Sequence, residues 1–105
     1  MQELQNRLIQ ELDGLIAYLR KYEEQTWSST FANIQQLIDN GDRRGLDALK
    51  NMCGGMGSFT DLVICQMNGH KIEKEEEDYA NKELMRLGSL VFMTADILSR
   101  ELNKK

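Results

Sequence analysis

Five consecutive small or flexible residues, Gly54-Gly55-Met56-Gly57-Ser58, offer the most distinctive chemistry in this chain of 105 residues. Backbone amides in such a run, placed ahead of a helix, can cradle an anion. The run is not followed by the Gly-Lys-Ser/Thr ending that sends a lysine to a phosphate, and it lacks the dinucleotide fingerprint and its preceding strand. The favoured reading is therefore structural. Gly54, Gly55 and Gly57 supply positive-φ positions in a tight helix-to-helix turn. Ser58 and Asp61 then form a start resembling a capping box for a helix through Leu62, Val63 and Ile64, favoured over a short buried strand that would have nothing to pair with.

Cys53, Cys65 and His70 are three side chains able to ligate a metal. Their spacing matches no Cys-x-x-Cys zinc pattern, so no metal or cofactor is expected. The plain reading is two reduced, apolar thiols and one solvent-exposed loop histidine. With a single histidine in the chain, any Ser-His-Asp or Cys-His mechanism rests on His70 alone. No coherent catalytic set emerges, and the chain is not expected to be an enzyme.

Acidic residues are the remaining chemistry. Glu73, Glu75, Glu76, Glu77 and Asp78 crowd into six positions. One reading is a solvated helix start favoured by the helix dipole, with Asp78 supported by Lys82 four residues on. The sharper reading is a docking patch for a basic partner formed by Glu73, Glu75, Glu76 and Asp78. Asp39 and Asp42 form a weaker second patch. The formal net charge of −4, from 13 basic and 17 acidic residues, points the same way. It provides no basic face for nucleic acid and would be repelled by anionic membranes, whereas a basic protein would be attracted.

The elements that position these residues are helical. The sequence contains no proline, which removes the commonest helix breaker. Leu4, Leu8, Leu12, Leu15, Ile16 and Leu19 recur at spacings of three and four, predicting a first helix over 3–20. Gly14 within it is either a tolerated glycine or a point of close packing. Trp27, Phe31, Ile34 and Ile38 stripe a second helix over about 24–39, and Asn40-Gly41 is its stop signal. Asp42 caps a short third helix holding Leu46, Leu49 and Met52, where Gly45 admits a neighbouring helix closely. A final helix runs from near Glu73 to about Leu102, with Leu84, Leu87, Val91, Ala95, Leu98 and Leu102 at roughly heptad spacing. Met52, Met56, Met67, Met85 and Met93 are expected to fill gaps in the core, with a methionine-rich docking surface as the less favoured alternative. The fold class is all-α, a compact bundle of about four to five helices with a long C-terminal helix, forming one domain over 1–105. The N-terminus lacks the pattern of a signal peptide and no stretch is apolar enough to span a bilayer, so a cytoplasmic location is expected.

Trp27, the segment Asn40-Gly41-Asp42 with Gly45-Leu46, and the run from Gly54 to Val63 resemble a family of small bacterial proteins of uncharacterised role. In that family a Gly-Asp-x-x-Gly segment precedes a Gly-Gly-Met-Gly-Ser-hydrophobic-x-Asp-Leu segment. The resemblance covers roughly 27–66, with Thr60 standing where asparagine is frequent. It implies a bacterial origin and a helical fold, and carries no activity or catalytic residues. In size and charge the chain is also similar to immunity proteins encoded beside secreted bacterial toxins, including those of contact-dependent growth inhibition. That analogy implies a toxin-neutralising immunity protein acting on a basic, nuclease-type toxin domain. The alternatives are a helical adaptor or regulatory module that binds a helix through an apolar groove, with its C-terminal heptad forming part of a homo-oligomer interface, and a small-anion sensor using the glycine turn.

Overall fold

The computed structural model describes residues 2–52, 64 and 69–103. Four α-helices occupy them: α1 (Gln2–Lys21), α2 (Gln25–Asp39), α3 (Arg44–Asn51) and α4 (Glu77–Leu102). A 3-10 turn, Lys74–Glu76, leads into α4, which is 26 residues long. No strand occurs among the described residues, and none of their helices is long and apolar enough to cross a membrane.

The i, i+3 and i+4 spacing of α1 turns one stripe inward. Leu8, Leu12, Leu15 and Leu19 are fully buried together with Phe31 of α2, Leu49 of α3 and Val91 of α4. Each such side chain contributes about 1.5–3 kcal/mol on burial. Ile64 is buried in the same core. Polar side chains fix the register. Gln5 donates to the Ile38 carbonyl at 2.8 Å, and Gln35 donates to the Ile9 carbonyl at 3.0 Å, which sets α1 and α2 antiparallel. The Tyr18 hydroxyl donates to the Ala80 carbonyl at 2.9 Å, so α4 begins beside the end of α1 and runs back along it.

The heptad residues of α4 lie inside the bundle. Leu84, Val91, Ala95 and Leu98 are buried, and Leu87 and Leu102 pack half-buried against them. This seam is filled by the chain's own helices, so the oligomer surface expected from it is already occupied.

Two helix ends share one hydrogen-bond pattern. After α2, the Asp42 N–H bonds the Leu37 carbonyl at 2.8 Å and the Gly41 N–H bonds that of Ile38 at 3.0 Å, with Gly41 at φ +75°. After α1, the Glu24 N–H bonds the Leu19 carbonyl at 2.9 Å and the Glu23 N–H bonds that of Arg20 at 3.0 Å. Both are Schellman closures, which call for a left-handed residue at the second-last position. In the first it is the glycine the sequence signals. In the second it is Glu23, a residue with a Cβ held at φ 58°.

Gly45 is buried where α3 meets α2, as its position in the sequence predicts. Asp42 accepts the Arg44 backbone N–H at 3.0 Å in the turn before α3, while the N-cap position itself falls on Arg43 rather than on Asp42.

Candidate functional site

The acidic run sits at one end of the bundle. Glu73 is extended, and the Glu76 N–H returns to its carbonyl at 2.9 Å, closing the 3-10 turn ahead of α4. Carboxylates suit this position because unpaired amides of the helix start point toward them. Glu73, Glu75, Glu76 and Asp78 are all exposed, and Glu77 is half-buried. Among the described residues, no ion pair engages Glu73, Glu75, Glu76 or Asp78. Next in the chain stands Tyr79, 71% exposed, the most exposed aromatic among the described residues.

Tyr18 anchors this end through its bond to Ala80 and stacks edge-on to Tyr22, with ring centres 5.3 Å apart. Burial, reinforced by the hydrogen bond with the Tyr22 side chain, pushes the Tyr18 hydroxyl well above its ordinary pKa. The hydroxyl therefore stays protonated and keeps its donor role. Lys21 places its ammonium 5.4 Å from the centre of the Tyr22 ring.

The second acidic pair is at the opposite end. Arg43 beside it reaches Asn103 just beyond α4 at 2.5 Å. About 36 Å of helix therefore separates this end from Asp78, at 1.5 Å per residue. The structure does not bring the two patches together. Asp39 is exposed, but Asp42 is engaged: Arg44 donates to both of its oxygens, at distances from 2.6 to 3.1 Å. The Arg44 side chain holds the Asp42 carboxyl below the usual carboxylate range. Its charge is committed within the chain, which removes half of that patch as a free attractor. A cleft of ≈ 260 Å³ beside it is lined by Gln5, Ile38, Leu46, Leu98 and Leu102. That is below the usual ~300–1,000 Å³ of a small-ligand pocket.

Two sequence expectations are overturned. His70 is buried, 8% exposed, with its Nε2 3.1 Å from Glu24 Oε1. The segment carrying it docks against the turn between α1 and α2 and buries Ile72 as well. Met85 and Met93 are not core gap-fillers. They are 73% and 63% exposed, because they lie on the side of α4 away from the heptad. Met52 is half-buried against the core as expected. Gly54, Gly55, Gly57, Ser58 and Asp61, the proposed helix after them, Cys53, Cys65, Met56 and Met67 lie outside the described residues.

No signal in the sequence marks Tyr79, and for the methionines the sequence favours the core over the exposed docking surface that is its second reading. A helical wheel of α4 centred on Val91 would have found Met85 and Met93, which fall more than about 100° from that seam.

Among known families, the one described as Domain of unknown function (DUF6966) matches residues 20–73. That segment runs from the end of α1 to the residue before the 3-10 turn, and includes the Glu24–His70 contact. No curated protein and no solved structure matches the chain.

Proposed function

The chain belongs to the family described as Domain of unknown function DUF6966, and from that premise we propose that it acts by binding another protein at the acidic end of the bundle. One observation carries the reading: Tyr79 stands exposed directly beside Glu75, Glu76 and Asp78, which are exposed too. Tyrosine is enriched among the residues that dominate binding energy, and charged residues typically rim such an anchor. The acidic rim selects a basic partner and speeds its approach, while Tyr79 supplies apolar contact area.

A toxin domain that holds nucleic-acid phosphates in a basic cleft has this chemistry. Covering such a cleft makes the chain a neutralising immunity protein. The experiment is co-expression with a basic toxin domain encoded beside it, read out as a stoichiometric complex and as protection of growth. Glu75→Lys with Glu76→Lys should slow association, and Tyr79→Ala should weaken binding by about tenfold or more. A complex that forms at wild-type rate and affinity with both variants, each with native helicity, removes this surface. Absence of both complex and protection with every adjacent product overturns the immunity reading.

A further inference from the structure

The outward side of α4 carries a pseudo-two-fold pattern centred on Ser89. Four residues to either side of Ser89 stand Met85 and Met93; seven to either side, Lys82 and Asp96; eleven to either side, Asp78 and Arg100. At about 100° per residue, offsets of four, seven and eleven all fall within about 40° of the direction of Ser89. Every one of these residues is exposed. They form one straight stripe on the side of the helix away from the buried seam.

The pattern is symmetric in hydrophobicity and antisymmetric in charge. A two-fold axis through Ser89 lays Met85 of one copy on Met93 of the other, Lys82 against Asp96, and Asp78 against Arg100. Each contact occurs twice, as an isologous interface requires. A parallel alignment would set each of the four charges against its own like, which is strongly disfavoured. Ser89 on the axis is small and lets the helices approach closely.

We propose that a second copy of this chain docks antiparallel on this face of α4, in the register that pairs Met85 with Met93. The charges are available for it. Among the described residues, neither Asp78 nor Lys82 belongs to an ion pair. Arg100 donates to Asp96 within its own helix at 2.6 Å, and its guanidinium has further donors for the Asp78 carboxylate of the second copy. Glu73, Glu75 and Glu76 lie beyond the end of this stripe, so among the acidic-end carboxylates Asp78 alone is shared between self-association and partner binding.

The test is mass in solution by sedimentation and light scattering, from about 10 μM to about 1 mM, a range suited to a small interface. The mass is expected to rise from 12.1 kDa toward twice that value. Ser89→Glu sets two carboxylates together on the axis and should leave a monomer with native helicity. Lys82→Glu should weaken association by at least about tenfold, and Lys82→Glu combined with Asp96→Lys should restore it, because the swapped pair is again opposite in sign. A wild-type chain that stays monomeric throughout overturns the proposal. So does a dimer that Ser89→Glu leaves intact, or one that the double exchange fails to restore.

Discussion

Gly45 lies so close to Ile38 that a Cβ added to it would come within 2.8 Å of Ile38 Cγ1. The same carbon would meet the Ile34 carbonyl at 3.1 Å and Leu37 Cβ at 3.2 Å. These neighbours are backbone or atoms near it, and cannot swing aside. Helix α3 packs on α2 at this distance only because residue 45 has no side chain. Gly45→Ala should therefore destabilise the domain by about 1–3 kcal/mol, despite the better helix propensity of alanine. Thermal melting of the variant checks this. An unchanged or raised Tm would mean that α3 can retreat from α2 without cost.

Gly14 is the contrasting case. It is exposed in the middle of α1, and the nearest atom to an added Cβ is Leu87 Cδ2 at 4.0 Å, an ordinary contact. Here the propensity term acts alone. Gly14→Ala should stabilise by about 0.5–1 kcal/mol, since it restricts the unfolded chain and meets no obstacle. Urea melts of the two alanine variants should move in opposite directions.

Glu23 occupies the left-handed position that Gly41 occupies at the end of α2. A side chain at that φ costs energy that glycine does not incur. Its exposed contact with Lys71, 3.4 Å between the nitrogen and Oε2, offsets little because such pairs contribute about 0–1 kcal/mol. Glu23→Gly is expected to raise stability by about 0.5–1 kcal/mol, whereas Gly41→Ala should lower it by a similar amount or more. If Glu23→Gly lowers the Tm, the Lys71 contact outweighs the backbone strain.

These positions show where sequence was informative. The apolar stripe of α1 and the seam of α4 were legible because helical burial is a local periodicity. Gly41 and Gly45 were legible because a missing Cβ announces a backbone or packing need. Glu23 was not, because nothing in Tyr22-Glu23-Glu24 distinguishes a left-handed residue from a helical one. The burial of His70 was hidden for another reason. Asn68-Gly69-His70 has a polar turn's composition, and only the docking of His70 onto the distant turn between α1 and α2 takes the ring out of water. The exposure of Glu73, Glu75 and Glu76 was legible, as a dense carboxylate run cannot be buried. The engagement of the Asp42 charge was not legible, because Arg44 reaches it through a turn that brings residues two apart together.

Acid should weaken the fold partly through two carboxylates. Hydrogen bonds from the Arg44 side chain hold Asp42 below its usual pKa, and those from Arg86 do the same for Glu83. A folded-state pKa below the unfolded value means that the folded protein binds fewer protons. The stabilising contribution is present above the unfolded pKa, about 4 for these groups, and is lost as pH falls through the lowered folded value. Melting temperature measured from pH 7 down to about 2 should fall more steeply below about pH 4 in the wild-type chain than in Asp42→Asn combined with Glu83→Gln. Equal acid limbs would show that these two ion pairs do not couple folding to protons.

His70 and Glu24 tie the segment before α4 to the turn before α2. The ring is buried, and its Nε2 stands 3.1 Å from the Glu24 carboxylate, where an N–H on that nitrogen donates to it. Loss of the ring removes a partly buried hydrogen bond to a charged acceptor and leaves a gap where the buried ring stood. His70→Ala should cost about 1–3 kcal/mol, a drop of several degrees in Tm for a domain of this size. Glu24→Gln keeps an oxygen acceptor at the same reach and should cost less. The segment from Gly69 to Glu73 leads directly into the acidic turn, so its release should also loosen the carboxylates on which binding depends. Amide exchange at Glu75, Glu76 and Asp78 should accelerate in His70→Ala and remain near the wild-type rate in Glu24→Gln. Unaltered exchange in both variants would show that α4 holds the acidic turn without help from the His70 contact.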